Sequence, residues 1–493
     1  MKTYDLKFDL RDPRNLSLVM DFYELTMSQV YFSEGRQNQV VTFDYFYRKN
    51  PDDGGFAIFA GLEELIGYIQ NLHFNEEDIF YLQGLGRFDE AFLDYLRHFI
   101  FTGNVYAVKE GTVVFPNEPI IRVEAPIIEA QLVETALLLC CNHQSLIATK
   151  ANRVVRASKG RSVLEFGARR AHNFDAANYG ARAAYIGGVF GTSNTKAGHM
   201  FHMPVSGTMA HSFIQSYPSE YDAFAAYAKH FPTETSLLLD TYDTLNSGLL
   251  NAIRVHKEIL LPQGYYLQSV RIDSGDIAYL SKRIREKLDA EGMQDTKIIA
   301  SNSFDEYIIK SLIDQDAKID IFGVGENLIC SKSSPVFGGV YKLSSIKMED
   351  GTYTPKIKVS DNAIKLTNPG KKELYRIYST ENGKAIADLM TLSHEVVTED
   401  DDLVIYHPQD VWKFKTIEKG TYRVERLLIP IIENGQLVYD CPSLEEIRLF
   451  AKSSRETMWD EILRFEYPQE YYVDLSKELL DLKLSLLESV RKK

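Results

Sequence analysis

Between Lys150 and His211 nine cationic side chains (Lys150, Arg153, Arg156, Lys159, Arg161, Arg169, Arg170, Arg182 and Lys196) stand against two carboxylates, Glu165 and Asp175, in a chain of net charge -14. Glycines recur through the same stretch, which ends on Gly207-Thr208-Met209-Ala210-His211. Cations beside permissive backbone suit a highly phosphorylated small molecule, because guanidinium forks neutralise phosphate and bare amides can approach it closely. A basic cluster is also an ordinary solvated face. Here the arginines alternate with small and apolar residues, the pattern expected of a lined cleft. Arg153, Arg169 and Arg170 are its phosphate-binding candidates.

A second group follows a strand-like run: Arg271-Ile272-Asp273-Ser274-Gly275-Asp276. Asp273 and Asp276 can hold a divalent cation that bridges phosphates, and Arg271 can bind a carboxylate or phosphate. The same residues would equally cap a helix N-terminus. Phe322-Gly323-Val324-Gly325 places two glycines at a strand end, where amides can meet a phosphate, and Gly338-Gly339 offers another cradle. Simple turns carry the same glycine pairs. Asn382-Gly383-Lys384 lacks the spacing of a nucleotide-binding P-loop, and His394-Glu395 lacks the second histidine of a metalloprotease helix. His211, taken alone, is more often a hydrogen-bonded core residue than a catalyst.

The elements that must position these residues come next. With 493 residues, 45% of them hydrophobic and 25% charged, the chain has the composition of a soluble globular protein of two to four domains. Net negative charge argues against nucleic acid or an anionic membrane as the main partner. Cys140, Cys141, Cys330 and Cys441 form neither a CxxC pair nor a zinc ligand set, which fits reduced thiols in a cytoplasmic protein. The first fourteen residues lack the apolar core of a signal peptide, and no apolar run reaches membrane-spanning length.

Periodicity predicts a helix over residues 17–34 capped by Ser17, a strand over 40–47, helices over 62–69 and 89–99, and one long amphipathic helix over 129–150. From Ser162 onward, short β-like runs (163–166, 185–190, 266–272, 297–300 and 319–323) alternate with helical ones (175–184, 222–230 and 277–291). That alternation implies βαβ units and a parallel sheet, open or closed into a barrel. Arg169, Ser193, His211, Asp273 and Gly325 fall just after those strands, where parallel α/β folds bind ligands. The expected division is an N-terminal α+β domain (1–146, shared with part of 345–410), an α/β barrel with the active site (147–344), and a β-rich return with a C-terminal helical extension (345–493).

The reaction itself comes from a resemblance. Glu165-Phe166-Gly167-Ala168-Arg169-Arg170-Ala171, Gly191-Thr192-Ser193-Asn194-Thr195, Gly207-Thr208-Met209-Ala210-His211-Ser212 and the Arg271–Asp276 run occur in that order. With Asp21-Phe22-Tyr23-Glu24-Leu25-Thr26-Met27 near the start and Asn434-Gly435-Gln436-Leu437-Val438-Tyr439 and Pro442-Ser443-Leu444 near the end, they closely resemble the nicotinate phosphoribosyltransferase family. The resemblance covers essentially the whole chain. It implies an irregular parallel α/β barrel beside a smaller α+β domain. The implied reaction joins nicotinate to 5-phosphoribosyl 1-pyrophosphate (PRPP), yielding nicotinate mononucleotide and pyrophosphate, with ATP hydrolysis coupled through a transient phosphohistidine at His211. It further implies magnesium with PRPP and ATP, and a homodimer with the active site at the subunit interface. Tyr23, from the partner, and Phe166 would sandwich the pyridine ring, while Arg169, Thr208 and Arg271 would lie near nicotinate and the phosphoribosyl group.

Those roles are chemically coherent. A flat anion wants aromatic faces and an arginine, and Ser193 can donate to a carboxylate where the aspartate expected of a nicotinamide-using relative would repel it. The cysteines cannot build the C-terminal zinc knuckle that some family members carry, so no structural zinc is expected. Catalysis is assigned to His211, Arg271 and Asp273, in NAD biosynthesis by salvage. The alternatives are a nicotinamide- or quinolinate-using phosphoribosyltransferase, a non-catalytic metabolite-binding relative, and a barrel isomerase with only a phosphate cradle.

Overall fold

The computed structural model describes residues 14–359, 366–410 and 412–491. Residues 1–13, most of the stretch expected to lack a signal peptide, lie outside them. The chain divides into two compact units, one of Met1–Leu146 with Val336–Lys493 and one of Ile147–Pro335. The return into the first unit therefore begins at Val336, not at residue 345. No helix among the described residues is long and apolar enough to cross a membrane.

The first unit holds two large sheets and a two-stranded one, Ala57–Ile58 with Val113–Val114. A seven-stranded antiparallel sheet has Val40–Tyr47 near its middle, between Gly339–Lys347 and Ile121–Pro126. The strand Val40–Tyr47 is aromatic and β-branched and is buried on both faces after its first residue, so its apolar run is near-continuous. The second large sheet has six strands; Lys372–Ser379 and Ala385–Leu392 are neighbours in it and pair antiparallel.

Two helical expectations change here. The first helix spans Phe22–Ser33 with Asp21 as its N-cap, not Ser17. The long helix expected over 129–150 is two helices, Ile127–Leu132 and Glu134–Ala157, separated at Val133.

Glu24 accepts hydrogen bonds from the Asp21 backbone and from the Thr135 hydroxyl, yet its Oε2 is buried with no partner. Burial is the chief reason its carboxyl is pushed up to about 7. A carboxyl raised in the fold binds its proton more tightly folded than unfolded. Its stabilising effect is therefore full below the unfolded value of about 4.3 and is lost as pH rises through the folded one. Glu24→Gln should flatten the fall in urea midpoint between about pH 5 and 8. An unchanged slope would remove Glu24 as its source.

In the second unit a six-stranded sheet runs in the order Gly191–Thr192, Ser162–Glu165, Ile321–Val324, Lys297–Asn302, Ser269–Ile272, Ser236–Leu238. All five neighbouring pairs are parallel. A single bridge from Thr192 to Val205 extends one edge. The expected barrel is not closed: the ladder ends on strands of two and three residues that do not pair with each other among the described residues. The expected strand over 185–190 is also absent. An alanine-rich helix runs Phe174–Ile186 and gives way at Gly187 and Gly188, the latter at φ 111°.

Candidate active site

Parallel strands point their carboxyl ends one way, so the loops that follow them converge. The residues after four of these strands (Phe166, Ser193, Asp273 and Ser303), together with Gly325, line one cavity of about 490 Å³. Thr208 and His211 join them from the loop and short helix that follow Val205. Strand direction, not sequence proximity, assembles the site.

Arg271 organises one side. Its Nη1 donates to Thr208 Oγ1 at 2.9 Å, its Nε to Ser301 Oγ at 2.8 Å, and its Nη2 to Asp273 Oδ1 at 3.0 Å. The guanidinium carbon lies 5.6 Å from the centre of the Phe166 ring. Ser301 also donates to Asp273 Oδ1, so the carboxylate and the guanidinium brace each other. Three anchors hold a planar cation beside an aromatic face, the pairing a flat aromatic carboxylate needs.

The Phe166 ring occupies space that only glycine leaves. A Cβ on Gly323 would come within 2.5 Å of that ring, and one on Gly325 would meet the Phe166 carbonyl oxygen at 3.2 Å. The strand-end glycines therefore make room for the aromatic face. Gly323→Ala should displace it and raise KM for the aromatic substrate by roughly tenfold, the worth of a lost ring contact. Initial-rate kinetics check this, and an unchanged KM would separate the ring from substrate binding.

Behind Phe166, Glu165 is fully buried and accepts from Thr192 Oγ1 at 2.6 Å and from the Gly167 amide. Burial pushes its carboxyl up, and both hydrogen bonds oppose that shift. The pair of contacts ties the Phe166 loop to the Ser193 loop.

His211 stands 40% exposed at the cavity wall, its Nδ1 3.1 Å from Thr241 Oγ1. Its Nε2 is 4.0 Å from both Asp240 Oδ1 and Asp273 Oδ2. Asp240 was absent from the sequence reasoning. It follows Ser236–Leu238, and its Oδ2 accepts from the Asp273 amide at 3.0 Å and from Ser274 Oγ at 2.5 Å. Its Oδ1 is buried without a hydrogen-bond partner. A buried, rigidly held carboxylate with one unused oxygen aimed toward an imidazole is suited to orient that ring or balance positive charge on it. An acid directly after the run Leu237-Leu238-Leu239 was the available signal.

The structure brings together Phe166, Arg169, Arg170, Ser193, Thr208, His211, Arg271, Asp273, Gly323 and Gly325. Other expectations need correction. Arg153 is not a cavity residue: its side chain is 5% exposed and its Nε pairs with buried Glu306 at 2.7 Å, alongside Lys150 at 2.8 Å. Buried cations need a carboxylate partner, and both of these reach Glu306. Lys159 pairs with Asp314, Arg161 donates to the Ile319 carbonyl, and Arg182 is buried, so the basic segment supplies the cavity with Arg169 and Arg170 alone.

Asp276 caps helix Ile277–Ala290 by accepting from the Tyr279 amide at 3.0 Å, as the capping alternative required. Gly275, at φ 81°, supplies the turn before it. Gly338 and Gly339 belong to the first unit, where a Cβ on Gly339 would meet Asn142 Oδ1 and Tyr45. Tyr23 is also in the first unit, 43% exposed on helix Phe22–Ser33. Among the described residues no group of three or more His, Cys, Asp or Glu is set to hold a metal ion.

Comparison with known proteins closes the question of ancestry. Residues 18–142 match the nicotinate phosphoribosyltransferase N-terminal domain, residues 162–384 the nicotinate phosphoribosyltransferase family, and residues 371–483 the C-terminal domain. The chain is 43% identical over 486 residues to a Bacillus subtilis protein named nicotinate phosphoribosyltransferase, covering 99% of this chain and 98% of that one. A human protein of the same name is 30% identical over 526 residues, covering 95% and 96%. The crystal structure of human nicotinic acid phosphoribosyltransferase superposes with a TM-score of 0.84 at 28% identity, covering 95% of this chain and all of that one. A nicotinate-nucleotide pyrophosphorylase from Pyrococcus furiosus shares the fold, with a TM-score of 0.67 over 90% of this chain and 95% of that one, at 24% identity. The chain belongs to the nicotinate phosphoribosyltransferase family of enzymes.

Proposed function

We propose that this enzyme transfers the phosphoribosyl group of PRPP to nicotinate, and that it couples the transfer to ATP hydrolysis through phosphorylation of His211. The observation that carries the reading is the braced Arg271 guanidinium over the Phe166 ring, in the same cavity as His211. The pyridine ring stacks on Phe166. Arg271 and the Ser193 hydroxyl take its carboxylate. Arg169 and Arg170, exposed at the cavity wall, neutralise PRPP phosphates.

In the transfer, the pyridine nitrogen forms a bond to the anomeric carbon as the bond from that carbon to pyrophosphate oxygen breaks. Positive charge develops on the sugar, as in glycoside cleavage. Asp273, beside Arg271, is placed to offset it. In the ATP half, an imidazole nitrogen of His211 accepts the γ-phosphoryl group as its bond to ADP oxygen breaks, and water later takes that group as phosphate. Asp240 orients the ring and offsets the charge it acquires.

The donor set fits magnesium carried on the substrate phosphates. Asp273 keeps Oδ2 clear of hydrogen bonds, and one or two carboxylate oxygens beside phosphate oxygens are the usual magnesium environment. When bound, the ion neutralises charge on the departing pyrophosphate. Asp276 takes no part.

The active site is completed in a homodimer by Tyr23 of the partner subunit. Exposed Phe22 and Tyr23 on one short helix support that reading. The enzyme works in the cytoplasm, in NAD salvage.

Asp240→Asn should lower kcat in the presence of ATP by roughly ten- to a hundredfold, the usual worth of a group that orients a catalytic histidine, with little change in KM for nicotinate. The function itself is tested by offering purified protein nicotinate, nicotinamide and quinolinate in competition with PRPP. Nicotinate mononucleotide should dominate. Preferential use of either rival base would overturn the assignment.

A further inference from the structure

A second cavity, of about 210 Å³, opens in the unit that contains Val336–Lys493. Its wall is formed by the loop bearing Lys109, by the paired strands Lys372–Ser379 and Tyr422–Arg426, and by helix Leu444–Glu456. Four lining side chains, Lys109, Arg376, Arg423 and Arg426, are cationic; Glu425 alone is acidic.

The partners of these cations leave charge over. Arg376 is buried and commits Nε and Nη2 to the two oxygens of Asp388, at 2.8 and 2.5 Å. Arg426 reaches Glu373 at 2.9 Å, but buried Arg122 claims the same carboxylate at 2.7 Å. Arg423 lies over the Tyr378 ring, its guanidinium carbon 4.0 Å from the ring centre, and reaches Glu425 only at 3.9 Å. Lys109 Nζ stands 5.8 Å from the centre of the Phe450 ring and forms no ion pair among the described residues.

On this wall Lys109 has no carboxylate partner among the described residues and Arg423 only a distant one, in a protein that is acidic as a whole. Like charges gathered on a concave wall repel one another, and a bound anion relieves that cost. The two positive charges left over match a phosphate dianion. A guanidinium fork and an ammonium group on one wall suit its several oxygens.

We infer that this cavity is a second anion site, taking a small phosphate or phosphate monoester between Lys109 and Arg423. It is built from residues outside the catalytic loops and does not depend on the reaction proposed above. The test is titration calorimetry of the full-length protein, with inorganic phosphate in one arm and glycerol 3-phosphate in the other. Both are repeated on Arg423→Glu and Lys109→Ala.

The site that the variants disturb should bind with a Kd below about 1 mM, and Arg423→Glu should weaken it roughly tenfold or more while turnover stays unchanged. Tighter binding of glycerol 3-phosphate would assign the site to a monoester, and equal binding to the free ion; both support it. No saturable heat, a Kd above roughly 10 mM (an adventitious ion only), or equal affinity in the variants would overturn the proposal. Should Arg423→Glu fail to fold, the Lys109→Ala comparison decides alone, because that side chain is exposed. The difference between variant and parent reads this cavity even if the catalytic assignment is wrong.

Discussion

His211→Asn should abolish nicotinate-stimulated ATP hydrolysis and the acid-labile protein phosphate, while the protein keeps its thermal transition. Loss of a covalent nucleophile removes the step outright, so the coupled rate should fall by at least about a hundredfold. The fold should tolerate the change because the side chain is 40% exposed and its closest recorded contact is a single hydrogen-bond distance to Thr241. Phosphoribosyl transfer without ATP should persist at the uncoupled rate, since Arg271, Phe166 and Ser193 are untouched. Full ATP coupling in this variant would remove His211 from the mechanism.

Arg271→Ala is expected to be the more damaging substitution for transfer itself. The change removes the cation proposed to bind the substrate carboxylate. It also strips three neighbours of a partner, since Thr208, Ser301 and Asp273 all accept from this guanidinium. Losing a preorganised charged donor in an enclosed site costs about 3–4 kcal/mol, so kcat/KM should drop by roughly a thousandfold. Arg271→Lys should recover little, because a single ammonium cannot span three acceptors held in a planar fork. Steady-state kinetics with nicotinate varied at saturating PRPP check both variants. Recovery by lysine to within about threefold would show that charge alone matters.

The site was legible wherever a motif coincided with a strand end. Asp273 and Gly325 each follow a run read as a strand, 266–272 and 319–323, and parallel topology carries both to one cavity, whereas Phe166 ended its expected run and the strand before Ser193 is Gly191–Thr192. Asp240 escaped notice because its role depends on the depth at which its strand ends: one oxygen is tied to the Asp273 loop and the other lies 4.0 Å from His211. Local sequence shows an acid after leucines and nothing more.

Charge clustering misled in the opposite direction. Arg153 and Lys150 lie three residues apart on the same face of helix Glu134–Ala157, and their partner Glu306 is about 150 residues away. No local pattern separates a buried ion pair of that kind from a ligand-binding arginine. Sheet closure was likewise out of reach, because it turns on whether strands of two and three residues find partners.

The most direct test is a crystal structure of the enzyme with nicotinate and a non-hydrolysable PRPP analogue. The account predicts the pyridine ring stacked on Phe166, its carboxylate within hydrogen-bonding reach of Arg271 and Ser193, and the anomeric carbon on the side of Asp273. A pyridine ring bound elsewhere, with Arg271 still turned only toward Thr208, Ser301 and Asp273, would contradict it.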